Sequence, residues 1–125
     1  MKNIHTKKAP QAVGPYSQGV LVNGTLYVSG QIPFVPETMQ LVSEDIAEQT
    51  MQSLKNILAI VEEAGLKKEN IVRCGVFMTD LSEFSKMNTI YAEFFGDHKP
   101  ARAAVEVRRL PKDVLIEIDA IAVAS

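Results

Sequence analysis

The segment that most constrains this chain is its last, Val114-Leu115-Ile116-Glu117-Ile118-Asp119-Ala120-Ile121-Ala122-Val123. A β-strand turns alternate residues to opposite faces. Leu115, Ile121 and Val123 fall on one face, and Ile116, Ile118 and Ala120 on the other. An antiparallel sheet with one face in water reads half polar, whereas this strand reads apolar on both. It has to be covered twice. Glu117 and Asp119 interrupt the first face. Desolvating a lone carboxylate costs several kcal/mol, so each needs a partner or a pocket.

The rest of the chain supplies cover for one face only. Ala47, Met51, Leu54, Leu58 and Val61 recur at helical spacing, with Thr50 and Ile57 beside them and Glu48, Gln52, Lys55 and Glu62 opposite. Ser43 is placed to cap this helix, Glu44 and Asp45 put negative charge in its first turn, and Gly65 stands at C′. A second helix carries Phe84, Met87, Tyr91 and Phe94 on its buried stripe, is capped by Asp80 or Ser82, and stops at Gly96.

Strands account for most of the remainder. Lys2 to Thr6 reads as a short first strand, and Ala9 to Tyr16 as an ordered loop rich in Pro and Gly. Ser17 to Val22 and Thr25 to Ser29 flank Asn23-Gly24, a hairpin signal because both turn positions need φ > 0. Phe34 to Val42, with Pro36 inside it, reads as a loop. Ile71 to Thr79 reads as a strand with Val72, Cys74, Val76 and Met78 on one face and Gly75 and Phe77 on the other. The expected order is β-β-β-α-β-α-β-β, an α+β domain over residues 1–125 with two helices on a six-stranded sheet. Two helices leave one sheet face bare, and the last strand demands that it be buried. Other subunits are the simplest cover, so the sequence predicts an oligomer.

Composition narrows the function. A formal net charge of −2 offers no field to draw nucleic acid or an anionic membrane, and Lys7-Lys8, Lys67-Lys68 and Arg108-Arg109 are short. The single cysteine, Cys74, excludes an intrachain disulfide and a multi-cysteine metal site, and His5 and His98 have no metal-ligand spacing. No apolar run approaches transmembrane length, and the cytosol is the expected compartment.

One cation stands out. Lys99-Pro100-Ala101-Arg102-Ala103-Ala104-Val105-Glu106-Val107 is an extended run of small and β-branched residues holding one guanidinium. A strand can fix such a fork where it grips a carboxylate through two hydrogen bonds. Arg102 can equally make a structural ion pair, with Glu106 or with a carboxylate of the last strand. A hairpin about Pro111 would bring Arg102 and Glu117 or Asp119 to one side, whereas in an oligomer the same groups would line a pocket between subunits. Spacing does not separate these cases.

Several segments together carry a resemblance. Gly14-Pro15-Tyr16-Ser17-Gln18-Gly19, Ser29-Gly30-Gln31-Ile32-Pro33, Gln52-Ser53-Leu54-Lys55-Asn56, Asn88-Thr89-Ile90-Tyr91, Pro100-Ala101-Arg102, and Arg109-Leu110-Pro111-Lys112-Asp113 followed by Ile116-Glu117-Ile118 resemble the RidA (YjgF/YER057c/UK114) family, in order and across nearly the whole chain. The resemblance implies a chorismate-mutase-like, mostly antiparallel sheet, closed by a homotrimer into a central barrel with a pocket at each subunit interface. It implies cofactor-free hydrolysis of 2-imino acids and their enamines, such as 2-aminoacrylate, 2-iminopropanoate and 2-iminobutanoate, to 2-oxo acids and ammonia.

Carried over by motif, Arg102 is the carboxylate clamp and Glu117 the acid that orients or activates water. Tyr16, Ser29, Gly30 and Asn88 line the pocket. Without the motif, Tyr16 could plug its loop, Ser29 could satisfy a strand end, and Asn88 could bond a helix neighbour. Two features depart from the family. Position 104 is Ala where many members carry a cysteine, and Asp97-His98-Lys99-Pro100 is shorter than in some. A sensor of 2-oxo acids would need Arg102 but not Glu117. A translation-inhibiting ribonuclease would need the basic-aromatic face that this chain lacks.

Overall fold

The computed structural model describes residues 1–125. Strand β1 (Lys2–Ile4) pairs antiparallel with β2 (Gly19–Val22), which turns at Asn23 and Gly24 into β3 (Thr25–Gln31). The turn residues take φ of 49° and 77°, the positive values that the Asn-Gly pair predicts. The predicted loop beyond β3 is a small hairpin instead, β4 (Phe34–Val35) with β5 (Gln40–Leu41). Its reversal includes Met39 at φ 57°, a conformation that residue type does not announce.

Helix α1 spans Ile46–Glu63. Its cap is Asp45, whose carboxylate accepts from the Glu48 N–H at 3.0 Å. Ser43 lies too early in the chain for that role. Its hydroxyl accepts from the Asp45 N–H at 3.1 Å, setting up the cap rather than being it. Gly65 ends the helix at φ 83°, as expected of C′. The buried stripe is rotated from the predicted one. Ala47, Met51 and Leu58 are only half-buried, whereas Gln49, Ser53 and Asn56 are buried with Leu54, Ile57 and Val61. Two of these polar residues bond loops. Asn56 Nδ2 donates to the Ile32 and Phe34 carbonyls at 3.2 and 2.9 Å. Gln49 donates to the Ser43 carbonyl and accepts from the Leu115 N–H, each at 2.9 Å.

Strand β6 (Ile71–Met78) buries Cys74, Val76 and Met78, but Val72 is exposed. A register shift between Ile71 and Arg73 throws Val72 out of the alternation. Asp80 caps a single 3₁₀ turn, Leu81–Glu83, that leads into α2 (Phe84–Phe95), and Gly96 follows at φ 63°. Met87, Tyr91 and Phe94 are buried as the spacing predicts, with Phe95 beside them.

After α2 the chain enters β7 (Ala101–Glu106), then a 3₁₀ turn at Pro111–Asp113, then β8 (Ile116–Val123). The sheet order is β1-β2-β3-β8-β6-β7. There is no hairpin about Pro111. Strand β7 runs parallel to β6 at the sheet edge, and β6 separates it from β8. A helix between two strands makes a crossover, and a crossover yields a parallel pair. Every other pairing is antiparallel.

Both helices cover one face. Leu54, Ile57 and Ile60 of α1 and Met87 and Tyr91 of α2 join one core with Cys74, Val76, Ile116, Ile118 and Ala120. On the opposite face Tyr27 is 50% exposed and Val105 44%, while Ile121 is half-buried. Within one chain that apolar face stays bare. No helix is long and apolar enough to cross a membrane.

Candidate functional site

Register assigns the predicted residues to faces. Arg102 lies opposite Cys74, which lies opposite Ala120, so Arg102 is on the helix-covered side. It projects at the edge toward α2. Its Nη1 donates to Asn88 Oδ1 at 2.8 Å, and its guanidinium carbon sits 4.7 Å from the Tyr91 ring centroid and 5.4 Å from that of Phe84. Arg102 makes no ion pair. The two salt bridges are Lys86–Glu83 and Arg109–Asp113, and Glu106 accepts from the Leu81 N–H. The structural-ion-pair alternative therefore fails within the chain.

Beneath this cluster the Tyr91 hydroxyl is buried without a full hydrogen-bond partner. The Cys74 thiol beside it is at most a weak one. Burial pushes the Cys74 thiol up to about 11 and also raises the Tyr91 phenol. Both stay neutral at physiological pH.

Glu117 belongs to the other face, opposite Phe77. Strand β3 bulges between Val28 and Gln31 where it passes β8, and the bulge places Gly30 against the Glu117 side chain. A Cβ at Gly30 would collide with that carboxylate, so glycine here makes room for the acid. Gly75 does the same for Asp119, and its N–H donates to Asp119 Oδ1 at 2.9 Å. Half-buried, Glu117 has its pKa raised, first by desolvation and then by the Asp119 charge.

A cavity of ≈ 670 Å³ lies in front of Glu117, walled by Tyr16, Gly30, Ile32, Phe34 and Pro111 among others. Two polar residues hold its near wall. Ser29 donates from its hydroxyl to the Ser17 carbonyl at 2.6 Å. Gln18 accepts from the Thr6 N–H at 2.6 Å and donates to the Thr6 and Pro10 carbonyls at 3.1 and 2.8 Å. Tyr16 itself is 52% exposed. A larger open groove of ≈ 950 Å³ runs beside this cavity along His5, Thr6, Lys7 and Gln11, and contains none of the predicted residues.

The structure thus brings Tyr16, Gly30 and Glu117 together, with Ser29 behind them, and separately brings Asn88 to Arg102. It does not join the two sets within one chain. Sequence reasoning gave no role to Gln18, Gly75, Phe84 or Tyr91 in this region. A signal existed for the last two, since Phe84, Asn88 and Tyr91 stand at i, i+4 and i+7 on one helix face. For Gln18 the signal was a lone amide beside a Pro-rich loop with many unpaired backbone groups.

The family model described as Endoribonuclease L-PSP matches residues 6–124. The chain belongs to the RidA (YjgF/YER057c/UK114) family. It is 55% identical over 119 residues to a RutC family protein of Pyrococcus abyssi, covering 95% of this chain and 94% of that one. It is 53% identical over 125 residues to the 2-iminobutanoate/2-iminopropanoate deaminase of Salmonella typhimurium, covering 98% and 97%. Among solved structures, Escherichia coli TdcF with bound serine superposes with a TM-score of 0.96 at 46% identity over the whole of both chains. RidA members thus share this α+β fold of two helices on a mostly antiparallel six-stranded sheet.

Proposed function

We propose that this RidA-family protein hydrolyses 2-imino acids, and the enamines that tautomerise to them, to 2-oxo acids and ammonia, in sites that form between subunits of a homotrimer. The observation that carries the reading is the fork of Arg102, held by Asn88 and two aromatic rings with no carboxylate of its own chain upon it. A guanidinium so held matches a substrate carboxylate in shape and charge. Relatives named 2-iminobutanoate/2-iminopropanoate deaminase and a relative that binds serine, an amino acid with the same carboxylate, support it.

In this mechanism the substrate carboxylate lies on Arg102 and the C=N carbon faces the cavity before Glu117. Glu117 takes a proton from water as the water oxygen bonds to that carbon. That proton passes to the nitrogen, giving a carbinolamine; Glu117 then carries the hydroxyl proton to the nitrogen, and the C–N bond breaks as the carbonyl forms and ammonia leaves. Water and imino acid are consumed, and one 2-oxo acid and one ammonia appear. An imine carbon is already electrophilic, so orientation and one proton shuttle suffice. The raised pKa of Glu117 suits a group that must both accept and return a proton. Because Arg102 and Glu117 lie on opposite faces of the sheet, the site takes one from each of two neighbouring chains. The bare apolar face supports that assembly.

The test is ammonia release from 2-iminobutanoate generated in situ by a threonine dehydratase. Acceleration over spontaneous hydrolysis is expected, with Arg102→Lys reducing it at least about tenfold, because a point ammonium lacks the planar fork. Folded protein that gives no acceleration would refute the reading.

A further inference from the structure

We infer that Tyr91 and Phe84 are positioning residues for Arg102, a pair of rings that sets the plane of the guanidinium so that its outer edge meets the substrate carboxylate. The inference rests on the reading of Arg102 as a clamp. Arginine on an edge strand has no neighbour on its outer side, and a free side chain of that length samples many rotamers. Asn88 alone fixes one nitrogen, about which the fork could still swing.

The rings remove that freedom. Phe84, Asn88 and Tyr91 lie at i, i+4 and i+7 of one helical stripe, so one face of α2 offers ring, amide and ring in succession. Arg102 lies across all three, 5.4 Å from the first ring and 4.7 Å from the last. Tyr91 is itself locked. It is 7% exposed, its ring packs 4.8 Å from that of Phe95 at 53°, and its hydroxyl is buried beside Cys74. That hydroxyl gains no proper partner there. The ring face toward Arg102, rather than the hydroxyl, is then what the position supplies. A cation over such a face is held electrostatically, and more tightly where water is excluded.

The experiment compares Tyr91→Phe, Tyr91→Leu and Phe84→Leu with the unaltered protein in three readouts. These are KM and kcat for 2-iminobutanoate, calorimetric binding of 2-oxobutanoate, and the ring-current shift of the Arg102 Nε–H signal in a nitrogen-labelled sample. Tyr91→Phe keeps the ring and is expected to match wild type within about twofold in all three. Each leucine variant should raise KM and weaken 2-oxobutanoate binding roughly five- to tenfold, leave kcat within about threefold, and move the Arg102 signal. A merely structural role would lower active fraction and kcat instead. Should Tyr91→Leu fail to fold, Phe84→Leu, at a half-buried position, carries the test. Folded leucine variants with wild-type binding and an unmoved Arg102 signal overturn the inference, and so does a Tyr91→Phe variant as impaired as Tyr91→Leu. If the wild-type protein binds 2-oxobutanoate without accelerating hydrolysis, the deaminase reading fails while the binding and Arg102 readouts still decide this one.

Discussion

Arg102 and Glu117 stand on opposite faces of one sheet, Arg102 opposite Cys74 and Glu117 opposite Phe77 on the strand between them. Cys74 and Phe77 are three residues apart on β6, an odd separation past the bulge, which is what sends the two candidate side chains in opposite directions.

This opposition predicts complementation. Arg102→Ala and Glu117→Gln should each be inactive alone. Co-expressed, they can assemble sites that draw Arg102 from one chain and Glu117 from its neighbour. With random association about a quarter of the sites in a cyclic trimer are then intact. Ammonia release near that fraction of wild type is the expected outcome. Co-purified mixed trimers with no activity would place both residues in a site of one chain.

The environment of Glu117 predicts a pH profile. Burial and Asp119 raise its pKa, so the base form is lost at a higher pH than for an ordinary carboxylate. Activity should rise with pH through a limb lying above the usual glutamate range of about 4.3, and Asp119→Asn should move that limb to lower pH. The same shift makes the folded chain bind more protons than the unfolded one between the two pKa values. Stability therefore falls as pH rises through that interval, and Glu117→Gln should flatten the slope in a series of thermal melts.

Gly30→Ala tests the bulge. The added methyl meets the Glu117 carboxylate, and overpacking of this kind costs about 1–3 kcal/mol. Denaturant melts should show a loss of that order, and deaminase activity should fall by more than about tenfold. Unchanged stability and rate in the Gly30→Ala variant would mean that the carboxylate has another position open to it.

Local features of the fold were legible where they depend on local chemistry. Asn23-Gly24 announced its hairpin because few other pairs tolerate two positive φ values. The doubly apolar β8 demanded cover on both faces, and within the chain the two helices supply cover for one. Failures came where distant parts of the chain decide. The rotated stripe of α1 follows from Gln49 and Asn56 bonding loop backbone, which a hydrophobic pattern cannot register. Val72 was misassigned by a one-residue bulge that reverses every side chain before it. The hairpin that would have joined Arg102 to Glu117 failed because β6 takes the place between β7 and β8, a choice made over long range. For the site, residue identities came from motifs, whereas their division between two faces needed the register.

Strand β7 has a neighbour on one side only. Residues held by a single ladder exchange and open more readily than those flanked by two. The guanidinium therefore rides on a weakly anchored part of the sheet, tied back by the side chains of α2. If Arg102 grips a substrate carboxylate as proposed, its occupancy and the integrity of that strand become one equilibrium: a carboxylate that needs the fork in place also draws free energy toward keeping the edge closed, and part of the ligand affinity goes into the order of the chain.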